Sequence, residues 1–247
     1  MLKVFKRTLG ALLITSLLAL PFSRASADDG KVKINGNATI VSKYISGGGG
    51  GVVTDKPSFQ GTIDLTKDNL TGEVWGSYNL PGKDNFPGEE TGSRMDEVDL
   101  AMRYDMPSDN FNTQLYGAVF LVPHVPVSGE VGVTFSTRKL PINLLAYIGQ
   151  GVDRKEGEVG RIVRVSGSFP VFSSNKTTGT LEGSVTALND YFGSNTGISH
   201  AQVGGSVSVP VTKKTNASIF AKYQFRVNGE KFPSAYDGPI FGASLNF

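Results

Sequence analysis

The chain has 247 residues, with 31 glycines, no cysteine and 19% charged side chains. A formal net charge of +2 gives no electrostatic case for a nucleic-acid partner, and without cysteine no disulfide staples the fold. Beyond Phe22 no run is apolar for long enough to cross a bilayer as a helix, and no sustained 3.6-residue periodicity marks a helical framework.

The first residues read as a secretory leader. Lys3, Lys6 and Arg7 form a positive start, Thr8 to Phe22 an apolar stretch, and Ala25 to Ala27 a small-residue processing site. The expected organisation is therefore a cleaved signal at 1–27 and one unit at 28–247. Removing the leader takes away Lys3, Lys6, Arg7 and Arg24 but no acidic residue, so the exported chain is slightly acidic.

From residue 31 onward the sequence alternates. Period-two patterning predicts about twelve strands, near 31–45, 56–66, 70–79, 95–106, 111–121, 130–138, 141–150, 160–171, 180–189, 200–211, 217–227 and 239–247. In the first, Val32, Ile34, Gly36, Ala38, Ile40 and Tyr44 share one face, and Lys33, Asn35, Asn37, Thr39 and Lys43 the other. The fourth sets Val98, Leu100, Met102, Tyr104 and Met106 against Glu97, Asp99, Arg103 and Asp105. The eleventh sets Ile219, Ala221, Tyr223, Phe225 and Val227 against Ser218, Lys222, Gln224 and Arg226. In 141–150 both faces are apolar, which leaves its orientation open.

The connections alternate as well. "KDN", "PSDN", "RKLP", "SSNKTT" and "KKTN" are short, whereas "PGKDNFPGEETGSR", "DYFGSNTGIS" and "NGEKFPSAYDG" are long. Tight turns at one end and long loops at the other suit a bacterial outer-membrane barrel, whose turns face the periplasm. In that register the apolar-face aromatics fall into two girdles at the membrane interfaces. Tyr44, Phe59, Tyr78, Phe225 and Phe241 lie toward the loops, and Tyr104, Phe111, Phe135, Phe169 and Phe247 toward the turns. Closure is required, because an open edge in hydrocarbon leaves backbone groups unpaired. The expected fold is all-β, a closed antiparallel transmembrane barrel in the bacterial outer membrane, surrounded by lipid and lipopolysaccharide. The row Phe241, Ala243, Leu245, Phe247 has the form of an insertion signal, so the outer-membrane insertion machinery is an expected partner through Phe247.

The second half of the first strand and the two that follow carry "VSKYISGGGG", "KPSFQGTIDLT" and "GEVWGSYNL". This pattern resembles the TorF-type porin family, also described as Gcw_chp, through Ser42, Tyr44, Gly47, Pro57, Gln60, Gly61, Trp75, Gly76 and Ser77. The resemblance spans about 40 residues, and more loosely "EVDLAMRYD"; the Arg-Gly that often follows the tyrosine is replaced by "SGGGGG". It implies an outer-membrane barrel with a channel role and no defined substrate.

No residue is assigned a catalytic, cofactor-binding or metal-binding role. The two histidines, His124 and His200, fall at loop ends and are expected as rim residues in wet loops. Asp190, Ser199 and His200 share a connection, yet no hydrolase motif surrounds them. Gly47 to Gly51 lacks the Lys-Ser/Thr and helix of a phosphate loop and is expected as a flexible external loop. Asp84, Glu89 and Glu90 match no calcium-loop spacing and are expected as a solvated acidic loop.

The inward face carries the informative residues. Its acids are Asp64, Glu73, Glu97, Asp99, Asp105, Glu130 and Glu182; its bases are Lys31, Lys33, Lys43, Arg103, Arg138, Arg164, Lys222 and Arg226. Charges in hydrocarbon are costly, so these groups must line water or pair inside. The pore-lining candidates are Lys43, Asp64, Glu73, Trp75, Glu97, Asp99, Arg103, Arg164, Glu182, Lys222 and Arg226. Trp75 is placed either to stack on a sugar or to fill interior space. Eight-stranded barrels fill their interiors and barrels of sixteen strands or more hold channels, so twelve admits a narrow channel or a plug. The leading expectation is a passive channel for small hydrophilic solutes, not an enzyme. The alternatives are a barrel enzyme acting on lipids and a structural or adhesion barrel with a closed lumen.

Overall fold

A computed structural model describes residues 31–80, 95–122, 127–137, 143–152, 159–174 and 176–247. The leader, the acidic loop residues Asp84, Glu89 and Glu90, His124 and Arg138 lie outside the described residues.

The strands are β1 (Lys33–Val41), β2 (Tyr44–Ile45), β3 (Val52–Thr54), β4 (Ser58–Lys67), β5 (Leu70–Asn79), β6 (Met95–Pro107) and β7 (Phe111–Leu121). They continue as β8 (Ser128–Thr137), β9 (Asn143–Val152), β10 (Val159–Ser173), β11 (Thr178–Asn189), β12 (Gly197–Pro210), β13 (Asn216–Arg226) and β14 (Gly238–Asn246). Strand β1 and the eleven strands β4 to β14 form one closed antiparallel barrel in which neighbours in sequence pair and β1 pairs with β14. The remaining two, β2 and β3, form a separate small hairpin.

Side-chain alternation explains why this sequence closes around two environments. Cross-strand partners share a face, and the rows Ile40–Phe59–Tyr78 and Val74–Leu100–Val119 point outward. Ile34, Ile63, Val74, Leu100, Val165, Leu181 and Ile219 are all exposed on that outer surface. An apolar exterior of this extent has no aqueous solution, and a closed barrel leaves no backbone edge for lipid to meet. Of the expected girdles, Phe59, Phe225 and Phe241 are exposed at the loop end, and Tyr104, Phe111, Phe135, Phe169 and Phe247 at the turn end.

At the seam, Gly36 and Phe247 exchange both backbone hydrogen bonds, at 2.7 and 3.0 Å. The Phe247 ring lies over Gly36, where an added Cβ would come within 2.5 Å of it. The aromatic ring thus covers the bare backbone where the last residue meets the first strand.

Two expectations change. Strand one ends at Val41 and not at residue 45, because Ser42 and Lys43 turn the chain inward. Tyr44 consequently leaves the outer girdle and is buried inside, its hydroxyl donating to Glu97 and its ring 5.5 Å from Trp75. The open orientation of 141–150 also resolves: Tyr147 faces Thr134 and Arg164 on the inside, and Ile148 is exposed outside.

Candidate solute pathway

The interior wall is largely polar, with two sides of different charge. On β4 to β6, Asp64 stands opposite Glu73, Trp75 opposite Asp99, and Glu97 opposite Ser77. Arg103 reaches both Asp64 (2.7 Å) and Glu73 (2.9 Å), bridging two carboxylates that would otherwise repel. Glu97 is held by Tyr44, while Asp99 Oδ1 and Arg103 Nε are enclosed without a hydrogen-bond partner among the described residues. On β10 to β13 the wall carries Arg164, Glu182 and Lys222, with Lys222 paired to Glu182 at 2.8 Å.

Two candidate residues sit at the outer rim and hold loops. Lys43 places its ammonium 4.4 Å from the centre of the Tyr236 ring, and Arg226 donates to the Pro233 carbonyl at 2.8 Å. Lys43, Lys222 and Arg226 each take a separate partner and form no single cluster.

The outer half of the lumen is occupied by chain. The expected flexible glycine loop instead folds into the barrel. Gly50 O accepts from the fully buried Gln224 side chain (2.7 Å) and from Tyr236 N (2.8 Å), and Gly51 bridges Ala235. Glycine is required at this approach: Gly50 has φ +71°, and a Cβ there would meet His200 Nδ1 at 2.4 Å. A second in-folded piece is the 3-10 turn Tyr191–Gly193, and a third is the connection at 227–237. From these, Tyr191, Phe232 and Ala235 pack with Ile162 and Leu188 of the wall into one buried cluster.

That cluster is anchored by a buried carboxylate. Glu130 accepts from the hydroxyls of Tyr147 and Tyr191. Burial, reinforced by the nearby Glu130, holds the Tyr191 phenol well above its ordinary pKa, so it remains a donor. Phe192 meets Phe120 of the wall at 6.2 Å between ring centres.

His200 departs from its expected wet rim. It is 2% exposed, roofed by Gly50, with its Nδ1 2.7 Å from Ser199 Oγ. Ser199 is itself fully buried, and Asp190 lies exposed on the outside of the turn. The contact therefore joins two enclosed neighbours beneath a loop, away from the lipid face. Glu130 and Gln224 were legible as inward residues, but their partners were not. The signal available was the run of five glycines itself, since a chain without side chains packs against a crowded wall as readily as it extends into water.

Fold and wall together define a transmembrane barrel with a polar interior, narrowed from its loop end. Among solved structures, the chain is similar to the KdgM porin, with TM-score 0.56 and 6% identity over 86% of this chain and 98% of that one. It is also similar to the NanC porin, with TM-score 0.52 and 9% identity over 87% of this chain and 99% of that one. The COG4313 outer membrane channel from Pseudomonas putida F1 has TM-score 0.52 and 10% identity, over 92% of this chain and 98% of that one. These identities establish a shared fold. No protein-family model and no curated protein matches the chain.

Proposed function

We propose that the protein is a passive outer-membrane channel for small hydrophilic solutes, exported by the leader at 1–27. The observation that carries this reading is the turn-end half of the lumen, where charged and amide side chains surround open space. A cavity of about 490 Å³ there is lined by Asn35, Asn37, Asp64, Glu73, Asn216 and Asn246. The fold it shares with porins supports the same reading, as does the TorF-type pattern around Trp75, Gly76 and Ser77. Ten of the eleven candidate residues supply the pathway's charge, with acids and Arg103 on one side beside Trp75, Arg164 and the Lys222–Glu182 pair on the other, and Lys43 and Arg226 at the rim. Lipid and lipopolysaccharide surround the apolar band, and Phe247 is the residue offered to the insertion machinery. The test is conductance of the purified, heat-modifiable protein in a planar bilayer. Discrete conductance steps in potassium chloride support the channel, and their absence at saturating insertion rejects it.

A second reading, a barrel closed at its outer end, is favoured by the three in-folded segments around Gly50, Tyr191 and Phe232. The two readings differ in whether those segments leave the lumen, which the same recordings distinguish. A lipid-acting enzyme finds less support, since Ser199 and His200 are enclosed and face away from lipid.

A further inference from the structure

The wall of β10 to β13 is ordered in rows. Arg164, Thr186, His200 and Arg226 form one; Ser166, Ser184, Gln202 and Gln224 form the next; Ser168, Glu182, Gly204 and Lys222 form the third. Successive rows are two residues apart, about 7 Å along a strand, so the first and third are separated by about 13 Å. Between them lies a cavity of about 350 Å³ whose lining includes Arg164, Ser166, Ser184, Gln202, Glu182 and Lys222. This volume lies in the range of small-molecule sites.

The donors of this cavity are only partly used. Arg164 spends its Nε on Thr186 Oγ1 at 3.1 Å, and its two terminal nitrogens make no hydrogen bond with any described residue. Glu130, the carboxylate acting on Arg164 from the adjoining wall, is taken up by the Tyr147 and Tyr191 hydroxyls. At the other end Lys222 is neutralised by Glu182, and its stem lies over Gly204, where a Cβ would come within 2.7 Å of it. The cavity thus offers one guanidinium whose terminal edge is unpaired among the described residues, a row of hydroxyl and amide groups, and a paired donor and acceptor.

We propose that this cavity is a solute-binding subsite for a small hydroxylated monocarboxylate. The carboxylate meets the free edge of Arg164 in a fork, the hydroxyls meet Ser166, Ser184 and Gln202, and the far hydroxyl reaches the Lys222–Glu182 pair. A neutral polyol lacks the partner for Arg164, and a short carboxylate leaves the serine row unanswered. The proposal deepens the channel reading and names its solute class.

The probes are D-gluconate, sorbitol (the same hydroxylated chain without the carboxylate) and acetate (the carboxylate without the hydroxyls). Calorimetric titration of the full chain in detergent reads binding, and planar-bilayer current noise reads residence in the pathway. Gluconate binds at least about tenfold more tightly than sorbitol or acetate, the effect of one charge-assisted hydrogen-bonding group. Arg164→Gln removes the preference over sorbitol, Arg164→Lys retains part of it, and Ser166→Ala with Ser184→Ala removes the preference over acetate. Heat-modifiable mobility confirms that each variant is folded. Equal binding of gluconate and sorbitol, or an unchanged preference in folded Arg164→Gln, overturns the subsite. Conductance without gluconate binding overturns it while leaving the channel intact; binding with this preference but no conductance upholds it and rejects the channel.

Discussion

The side chain of Gln224 holds the glycine loop inside the barrel, and its removal should open the outer half of the lumen. Its Nε2 donates to Gly50 O at 2.7 Å and to Tyr236 O at 3.1 Å, tying two in-folded segments to β13. Each such bond is worth about 0.5–1.5 kcal/mol net, so Gln224→Ala forfeits about 1–3 kcal/mol of the closed arrangement. At 1.4 kcal/mol per tenfold, the ratio of loop-out to loop-in states rises about 5- to 150-fold. Ser218, also on β13 but toward the turn end, shares a hydrogen bond with Ser244 at 2.8 Å on the inner wall. Ser218→Ala is therefore the matched control, with little expected change. Gly50→Ala should act in the same direction as Gln224→Ala, because a Cβ at φ +71° is strained and meets His200. Single-channel recording measures open probability and dwell times. If Gln224→Ala and Gly50→Ala both insert normally and leave open probability where Ser218→Ala leaves it, the glycine loop does not gate the lumen.

Three other perturbations test the remainder. Leu100, exposed between Val74 and Val119 on the outer face, becomes costly as Arg by about 2–4 kcal/mol, whereas Asp99→Asn changes only an inward side chain away from lipid; refolding in lipid vesicles compares them, and equal effects would refute the assigned register. Neutralising Glu97 and Asp99 together shifts permeability toward anions, read as reversal potential under a salt gradient, and the shift shrinks as the Debye length falls below about 10 Å above 0.1 M salt; no shift with conductance intact would place these acids off the conducting path. Phe247→Ala keeps the backbone pair with Gly36 but uncovers it, so the amount of heat-modifiable, membrane-inserted protein should fall; insertion at the normal level would remove Phe247 from assembly.

The barrel itself was written plainly in the sequence because every strand samples the same two environments. Leu100 beside Asp99, and Tyr223 beside Lys222, state the period without any knowledge of neighbours, and the strand count and the facing of most strands follow. Boundaries moved where local geometry competed with the pattern. Ser42 and Lys43 continue the alternation of strand one, yet the chain turns there, and Tyr44 finds Glu97 and Trp75 inside instead of lipid outside. The in-folded segments were not legible for a related reason. Gly50, Tyr191 and Phe232 have no periodicity that announces a direction, and their positions depend on partners 150 or more residues away in several cases, such as the 174-residue separation of Gln224 and Gly50. Glu130 was recognised as an inward acid, but nothing in its neighbourhood signalled that a tyrosine of β9 and one of the turn after β11 would converge on it.

Twelve strands explain why loops, and not wall side chains, narrow this lumen. In a barrel of about eight strands the inward side chains meet across the axis, while one of sixteen leaves a water-filled channel whatever its residues. At the intermediate circumference, wall residues such as Ser166, Ser184 and Gln202 are too short to reach the far side, and the outer half closes only where connections return. The return is asymmetric because only the loop end has chain to spare: "KDN" or "PSDN" cannot reach inward, whereas the connections carrying Gly50, Tyr191 and Phe232 can. Each buried polar group on those connections then needs a wall partner, and Gln224 and Glu130 supply them. The turn end keeps its fixed charges and its open volume for the same reason. The two halves are thus one consequence of strand number and loop length: a polar-lined open volume on the turn side, and on the loop side a constriction held by a few hydrogen bonds whose loss is within reach of a single substitution.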